Sequence, residues 1–373
     1  MGRNSSSFGL WDSWKAYNWP RAGRWKHPGT EKWEGSLFAD AVRGILSVGR
    51  EIKMEIRAEE DYMYRPFILA ALLLVVTVIN STAAKADETI RVGLIQMNAR
   101  LYDKQYNLSR AEDLIRQAAV RGAKIVCTPE AAVQGYARVD LPPNTSVDAP
   151  PIVAERAKIL AAAETIPGPA TNRFAALARE LGIWIIFGMD ENRGGKLFNT
   201  AVLMNPQGQI VGTYSKVHLQ NWMLASGVNH GDGFPVWEVE IGGVKAKIGI
   251  EICYDIQHPE STRELALGGA EIVFNPYCTD DFSRPLLVHL YQTRALENDL
   301  FIVRVNYGAP RNTGTSSTLD FEGSTQDELD NVEAVLVSNL NLTPLRKARA
   351  DWNPVYGLPN RYPPAYKRLQ TER

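Results

Sequence analysis

From Thr89 to about Asn306 the chain switches repeatedly between two hydrophobic periods, and this alternation restricts the fold more than any other feature. "TIRVGLIQM" is a β-branched run and predicts a strand. "NLSRAEDLIRQAAVRGA" follows, with Leu108, Ala111, Leu114, Ile115 and Ala118 at helical spacing and Gly122 as a stop. "KIVCTPE" is the next strand. Residues 139–151 are Pro-rich and read as a loop. Helices are expected over 152–163 and 172–181, then the strand "IWIIFGMDE". "NTAVLMNPQGQIVGTYSKVHL" reads as two strands around a Pro-Gln-Gly turn. Residues 220–234 read as irregular. "AKIGIEIC", "EIVFNP" and "LFIVRVN" are strands, separated by helices in "PESTRELALGGA" and 286–298. After Gly308 the pattern weakens until a last strand, "VEAVLVSNL". Repeated β-α-β units predict an α/β fold, a sheet with helices on its outer faces, and the hairpin makes that sheet mixed.

The N-terminal region reads differently. Residues 63–86, "MYRPFILAALLLVVTVINSTAAKA", carry Arg65, an apolar stretch from Phe67 to Ile79, and the small-x-small site Ala84-Lys85-Ala86. These are the parts of a secretory signal peptide. The apolar run is short for a bilayer span, which needs about 20 residues. Residues 1–62 precede it, with five tryptophans and little periodicity, and are expected to pack poorly on the rest. Two arrangements fit. In one, the start is Met63, 1–62 is a mis-called extension and the protein is exported. In the other, 67–84 is a membrane anchor behind a genuine extension. Either way the folded domain is expected over 87–373.

Composition removes several classes of function. A formal net charge of −1 gives no basic excess for nucleic acid. Three cysteines, Cys127, Cys253 and Cys278, are too few for a disulfide framework. Neither a Cys-x-x-Cys nor a His-x-x-x-His spacing occurs, so the sequence gives no support for a metal site.

In open α/β sheets, function gathers at the carboxyl ends of strands. Glu130, Lys216 and Cys253 stand at three such ends. Each alone has an ordinary reading: a helix-start acid, a solvated charge, a small core residue. Together an acid, a base and a thiol compose a candidate nucleophilic site. Cys127, inside a strand, reads as core, whereas Cys278, near a strand end, is a candidate for the pocket wall. His218 is expected on the same strand face as Lys216, in a supporting role. Glu260 and Arg263 read as a helix-face pair bracing the cysteine loop. Asn275, Arg294, Glu297 and Asn298 read as scaffold, and His258 and His289 as packing or surface residues.

"TPEAAVQGY", "YSKVHL" and "GIEICYD" occur in this order and resemble the three signature blocks of the nitrilase superfamily, the carbon–nitrogen hydrolases. "HPESTRELALGGAEIVFNP" and "RALENDLFIVRVN" extend the similarity over roughly 89–310, and more weakly to about 350. The resemblance implies an α-β-β-α sandwich, assembled as a homodimer or larger oligomer, with no cofactor. It also implies roles. Glu130 would take the proton from Cys253, whose sulfur attacks an amide or nitrile carbon. Lys216 and the main-chain N–H of Tyr254 would stabilise the developing oxyanion, and water would hydrolyse a thioester. "CYD" resembles the amidase-like branches, so small amides or carbamoyl compounds are the expected substrates, with ammonia released and nitriles as the alternative. Trp222, Met223 and Leu224 are candidates for an apolar pocket wall.

Two departures from the family pattern stand out. Many members carry a second glutamate about eight residues before a Gly-Asp pair. Here Leu224 holds that place, and no carboxylate lies between Lys216 and Asp232. Glu251, two residues before the cysteine, is a weak substitute. A catalytically silent relative that keeps the fold for binding is therefore a competing reading. An acyltransferase with the same triad would need more membrane-embedded surface than one apolar segment supplies. The second departure is "GSTQDELDNVEAVLVSNL", which reads as too short and too acidic for both strands usual there, so an edge hairpin is expected to be trimmed.

Overall fold

The computed structural model describes residues 88–370, apart from 138–145, 147, 280–283, 310–314 and 352–357. The segments 1–62 and 63–86 lie outside the described residues, so the expectations placed on them are not addressed by the fold. Among the described residues no helix is long and apolar enough to cross a membrane.

Two six-stranded mixed sheets form the domain. The first contains β1 (Thr89–Gln96), β2 (Ile125–Cys127), β3 (Trp184–Arg193), β4 (Lys196–Met204) and β5 (Ile210–Ser215). The second contains β6 (Val236–Ile241), β7 (Val244–Ile250), β8 (Ile272–Pro276), β9 (Phe301–Val305), β10 (Ser317–Leu319) and β11 (Thr325–Glu328). The last strand, β12 (Ala334–Asn341), returns to the first sheet and pairs antiparallel with β1 over its whole length. Each sheet has a parallel centre, β1-β2-β3 in one and β7-β8-β9 in the other, flanked by antiparallel strands.

The period of two in the strands sorts residues between layers. Ile125, Cys127, Ile186, Ala201 and Leu203 share one buried cluster with Ile248 and Ile250 of the other sheet. The alternate residues Val126, Ile185, Phe187 and Val202 pack outward against two helices, α1 (Lys104–Val120) and α3 (Pro169–Leu181). In α1 the residues Leu108, Ala111, Leu114, Ile115 and Ala118 are all buried, as their spacing predicts, and the Asp103 side chain caps the first turn by accepting from Tyr106 N–H at 3.1 Å. The second sheet carries α5 (Pro259–Leu267) and α6 (Arg284–Asn298), whose Leu265, Leu287, Tyr291 and Ala295 join the first cluster. The result is an α-β-β-α sandwich. Trp184 Nε1 donates to Glu240 O at 2.9 Å, a polar tie from one sheet to the other.

Several elements differ from the sequence reading. The stretch 220–234 contains a short helix, α4 (Asn221–Ala225). β6 precedes β7 in a hairpin that the sequence analysis passed over. "GSTQDELDNVEAVLVSNL" accommodates both strands, because β11 needs only four residues, all exposed, and its acidic side chains find partners: Asp327 accepts from Ser338 O–H at 2.5 Å and Glu328 pairs with Arg304 at 3.7 Å. The tail adds α7 (Leu342–Ala350), anchored by buried Leu342 and Leu345. A further helix, α2 (Pro150–Ala162), lies within two residues of its expected bounds.

Candidate active site

Glu130 follows β2 in a turn whose next residue, Ala131, has φ +48°. Its side chain is fully buried, and Oε1 accepts from Lys216 Nζ and Asn199 Nδ2, both at 2.7 Å. Oε2 is buried with no hydrogen-bond partner among the described residues. Tyr307 O–H donates to the Glu130 main-chain carbonyl at 2.5 Å and fixes the turn from the other sheet's side. The turn sits directly on Gly188 of β3. A Cβ there would lie 2.6 Å from Ala131 N and 2.6 Å from Pro129 O, so only glycine lets the backbones approach. Gly188→Ala must push the Glu130 turn away. We expect a loss of about 1–3 kcal/mol in a denaturant titration, with a fall in any Glu130-dependent activity larger than the stability loss explains.

Lys216 follows β5 and is also fully buried. Its N–H donates to Asn199 O at 2.8 Å, and its carbonyl accepts from Gly231 N at 2.9 Å. Gly231 is another position closed to side chains, since a Cβ would lie 1.9 Å from Ser215 O. Burial alone would lower the Lys216 ammonium's pKa, but Cys253, Glu130 and Asp255 together hold it above the ordinary lysine value. Two buried charges are tolerated here because each is paired and hydrogen-bonded.

Cys253 comes from the second sheet. It follows β7 after Glu251 and Ile252, has φ +50°, and opens a 3₁₀ turn over Cys253–Gln257. A non-glycine residue at positive φ is uncommon, and such strain gathers at functional sites. The thiol is 5% exposed and donates weakly to Cys278 O at 3.6 Å. Burial and then Glu130 push the thiol up to about 12, against the opposing pull of Lys216. Burial thus favours the neutral form of the thiol, beside the Glu130–Lys216 pair. Tyr254, next in the turn, is half-buried.

The other sequence candidates are placed as follows. Trp222 packs edge-on against Tyr136, centroids 5.5 Å apart, and donates to Gln220 Oε1 at 2.8 Å. Met223 is buried in a small cluster with Ile159, Leu197, Leu219 and Val228. Leu224 is 43% exposed. Cys278 is half-buried with its carbonyl at the thiol, and Cys127 is a fully buried core residue. Glu251 is buried but points to Thr262 Oγ1 (3.0 Å) and Asn275 Nδ2 (3.5 Å), and burial followed by Asp255 pushes its carboxyl up to about 8. Arg263 pairs with Glu297 rather than Glu260, because the two helices α5 and α6 meet along that side. Arg294 reaches both Glu297 and the Ile256 carbonyl, and Asn298 bonds Arg294 O. His218 lies beyond the end of β5, so its orientation comes from a hydrogen bond to Asp255 and not from a strand face. His289 is an exposed helix residue near Gln292. Among the described residues no cluster suited to a metal ion occurs.

Sequence reasoning missed two polar residues on the inner face of the first sheet. Asn199 on β4 holds Glu130, and Asp190 is its register partner on β3. Asp190 is 8% exposed, and burial followed by the Glu130 charge pushes its carboxyl up to about 7. Both stand at positions where the strand's alternation demands apolar side chains, and that is the signal that would have found them.

The carbon–nitrogen hydrolase family model matches residues 91–350. The chain belongs to that family. It is 32% identical over 218 residues to a nitrilase of Pyrococcus abyssi, covering 57% of this chain and 73% of that one. It is 30% identical over 209 residues to an omega-amidase of Xenopus tropicalis, covering 53% and 68%. Among solved structures it is similar to a variant of the amidase of Nesterenkonia sp. AN1 that shows acrylamide added at the active site cysteine. The TM-score is 0.56 at 26% identity, over 70% of this chain and 97% of that one. This hydrolase thus falls in an amidase-like branch of the nitrilase superfamily, with the sandwich fold that its sequence blocks imply.

Proposed function

We propose that this hydrolase cleaves small amides or N-carbamoyl compounds through a thioester on Cys253, with Glu130 and Lys216 completing the machinery. The observation that carries the reading is the fully buried Glu130–Lys216 pair, 2.7 Å apart, acting on the Cys253 thiol. Glu130 Oε1 is occupied by two donors, which leaves Oε2 to accept the thiol proton as sulfur attacks the amide carbon. The lysine ammonium and the Tyr254 N–H stabilise the oxyanion, and one such donor is worth about 3 kcal/mol in kcat. Glu130 returns the proton to the leaving nitrogen, ammonia departs, and an acyl-thioester remains. Glu130 then takes a proton from water as the water attacks and passes it to the departing sulfur, which regenerates the thiol and releases a carboxylic acid from an amide, or a carbamic acid that loses carbon dioxide from a carbamoyl compound. Trp222 and the Cys278 main chain are the pocket walls in this reading, whereas Leu224's exposure gives it no support there.

The modified cysteine in the Nesterenkonia amidase supports a cysteine nucleophile, and the omega-amidase relative supports amide over nitrile. Export through 63–86 and homo-oligomeric assembly belong to the same proposal. The test is ammonia release from a panel of short aliphatic amides, N-carbamoyl amino acids and matched nitriles. We expect release from amides, with a new covalent acyl mass on Cys253 in rapidly quenched samples. Release from nitriles alone would favour the nitrilase alternative. No release from any member, with no acyl adduct, would favour a silent binding relative.

A further inference from the structure

Two imidazoles lie face to face beside the candidate site. His218 and His258 stack with centroids 3.8 Å apart and planes 6° from parallel. Phe234 covers the pair on the His218 side, at 6.1 Å, and Tyr254 meets His258 edge-on at 4.9 Å. His218 stands two residues beyond Lys216. His258 closes the turn that Cys253 opens, its N–H donating to Asp255 O at 2.9 Å.

The polar contacts define the ring protons. His258 Nδ1 is 3.2 Å from Tyr254 O, and a carbonyl only accepts, so Nδ1 carries hydrogen. His218 Nδ1 lies 3.0 Å from Asp255 Oδ1 and 3.1 Å from Ser261 Oγ, and carries hydrogen for the carboxylate. Asp255 also accepts from His218 N (2.8 Å), Tyr214 O–H (2.6 Å) and Ile252 N (2.9 Å). The lysine segment and the cysteine turn are therefore joined by one carboxylate and one ring stack. Either ring gains charge by protonation at Nε2. The first such charge is matched by Asp255. A second would set two like charges 3.8 Å apart in a half-buried site, with Glu260 as the further acid acting on His258.

We propose that the His218–His258 stack is a positioning clamp, which holds the Lys216 segment on the Cys253 turn while at least one ring is neutral and releases it reversibly when both are charged. The functional part rests on the Cys253 assignment above; the structural part does not. Burial and the neighbouring His218 hold the His258 imidazole below its ordinary pKa, in keeping with a second proton that is hard to add. The sign follows: a group whose pKa is depressed by folding favours the folded arrangement when neutral, so the clamp is intact above the ordinary histidine range and lost as pH falls through it.

The test compares the full-length protein with His258→Phe, which keeps a flat ring in the stack but cannot charge, and with His258→Gln as a second neutral variant should the first fail to fold. Hydrogen exchange is read on peptides covering 214–220 and 252–260, corrected for intrinsic rates, between pH 7.5 and about 5. In the native chain both segments are expected to lose protection together, about tenfold, and regain it on return to pH 7.5. Neither neutral variant should show the loss. Amide hydrolysis should fall in parallel in the native chain, and its acid limb should move down by about one pH unit in the variants. Identical acid behaviour of native and neutral-variant proteins, in exchange and in rate, would overturn the clamp. Loss of protection without any Cys253-dependent hydrolysis would keep the clamp and remove the assigned chemistry.

Discussion

Cys253→Ala is expected to lower amide hydrolysis on the order of 10⁴-fold or more while leaving the fold intact. The substitution removes a single sulfur from a side chain that is 5% exposed and whose hydrogen bond to the Cys278 carbonyl is long, at 3.6 Å. The backbone keeps its φ of +50°, a conformation alanine tolerates no worse than cysteine. Chemistry and stability therefore separate cleanly at this position. The measurement is ammonia release on the best substrate of the panel, beside a thermal melt of both proteins. A variant that retains a tenth of the rate would show that bond cleavage does not pass through sulfur, and the thioester route would fall.

Lys216→Met has the largest expected effect on stability. Methionine fills a similar volume but leaves the Glu130 carboxylate fully buried with only Asn199 Nδ2 donating to it. Breaking a buried pair by removing one partner costs about 3–5 kcal/mol, most of it the stranded charge. That charge can be relieved by taking up a proton, so the variant should regain part of its stability as pH falls from 8 to 6. In sign terms, the folded variant binds a proton that the unfolded chain at that pH does not, and stability then rises on acidification. Adding Glu130→Gln should recover most of the loss without recovering activity. Urea titrations of the two single variants and the double variant give the coupling directly. If the Lys216→Met variant were as stable as the native protein at pH 8, the pair would not be the charged contact its 2.7 Å separation implies.

The layered architecture was legible because its strands are β-branched runs and its helices carry apolar residues at 3.6-residue spacing. What escaped notice shares a physical cause. β11 is exposed at all four residues and holds its place by backbone pairing and the polar contacts of Asp327 and Glu328, so no apolar pattern announces it. α7 buries only Leu342 and Leu345 and is otherwise held by Arg346 on Glu271 and Arg349 on the Ala270 carbonyl, too few apolar positions for a periodic signal. At the site, Glu130, Lys216 and Cys253 could be picked out as polar residues at strand ends. Asn199 and Asp190 leave only a weaker trace, a polar break in an apolar alternation, because their pairing lies in the β3–β4 register that brings them opposite each other. The partner of Arg263 was misread for a related reason. Local spacing favoured Glu260, while the packing of α5 on α6 supplied Glu297. The stacked imidazoles are separated by forty residues of chain and meet only across the gap between the two sheets.

The return of β12 to the first sheet has a consequence for how the chain is made. β1 emerges early from the ribosome, yet one of its two flanks finds its partner only when Ala334–Asn341 has been synthesised, some 250 residues later. At about 5–20 residues per second, the nascent polypeptide carries that bare flank, "TIRVGLIQ", for tens of seconds. A β-branched, nearly uncharged ribbon left open so long is a natural landing place for chaperones, and for a neighbouring nascent chain when chaperones are scarce.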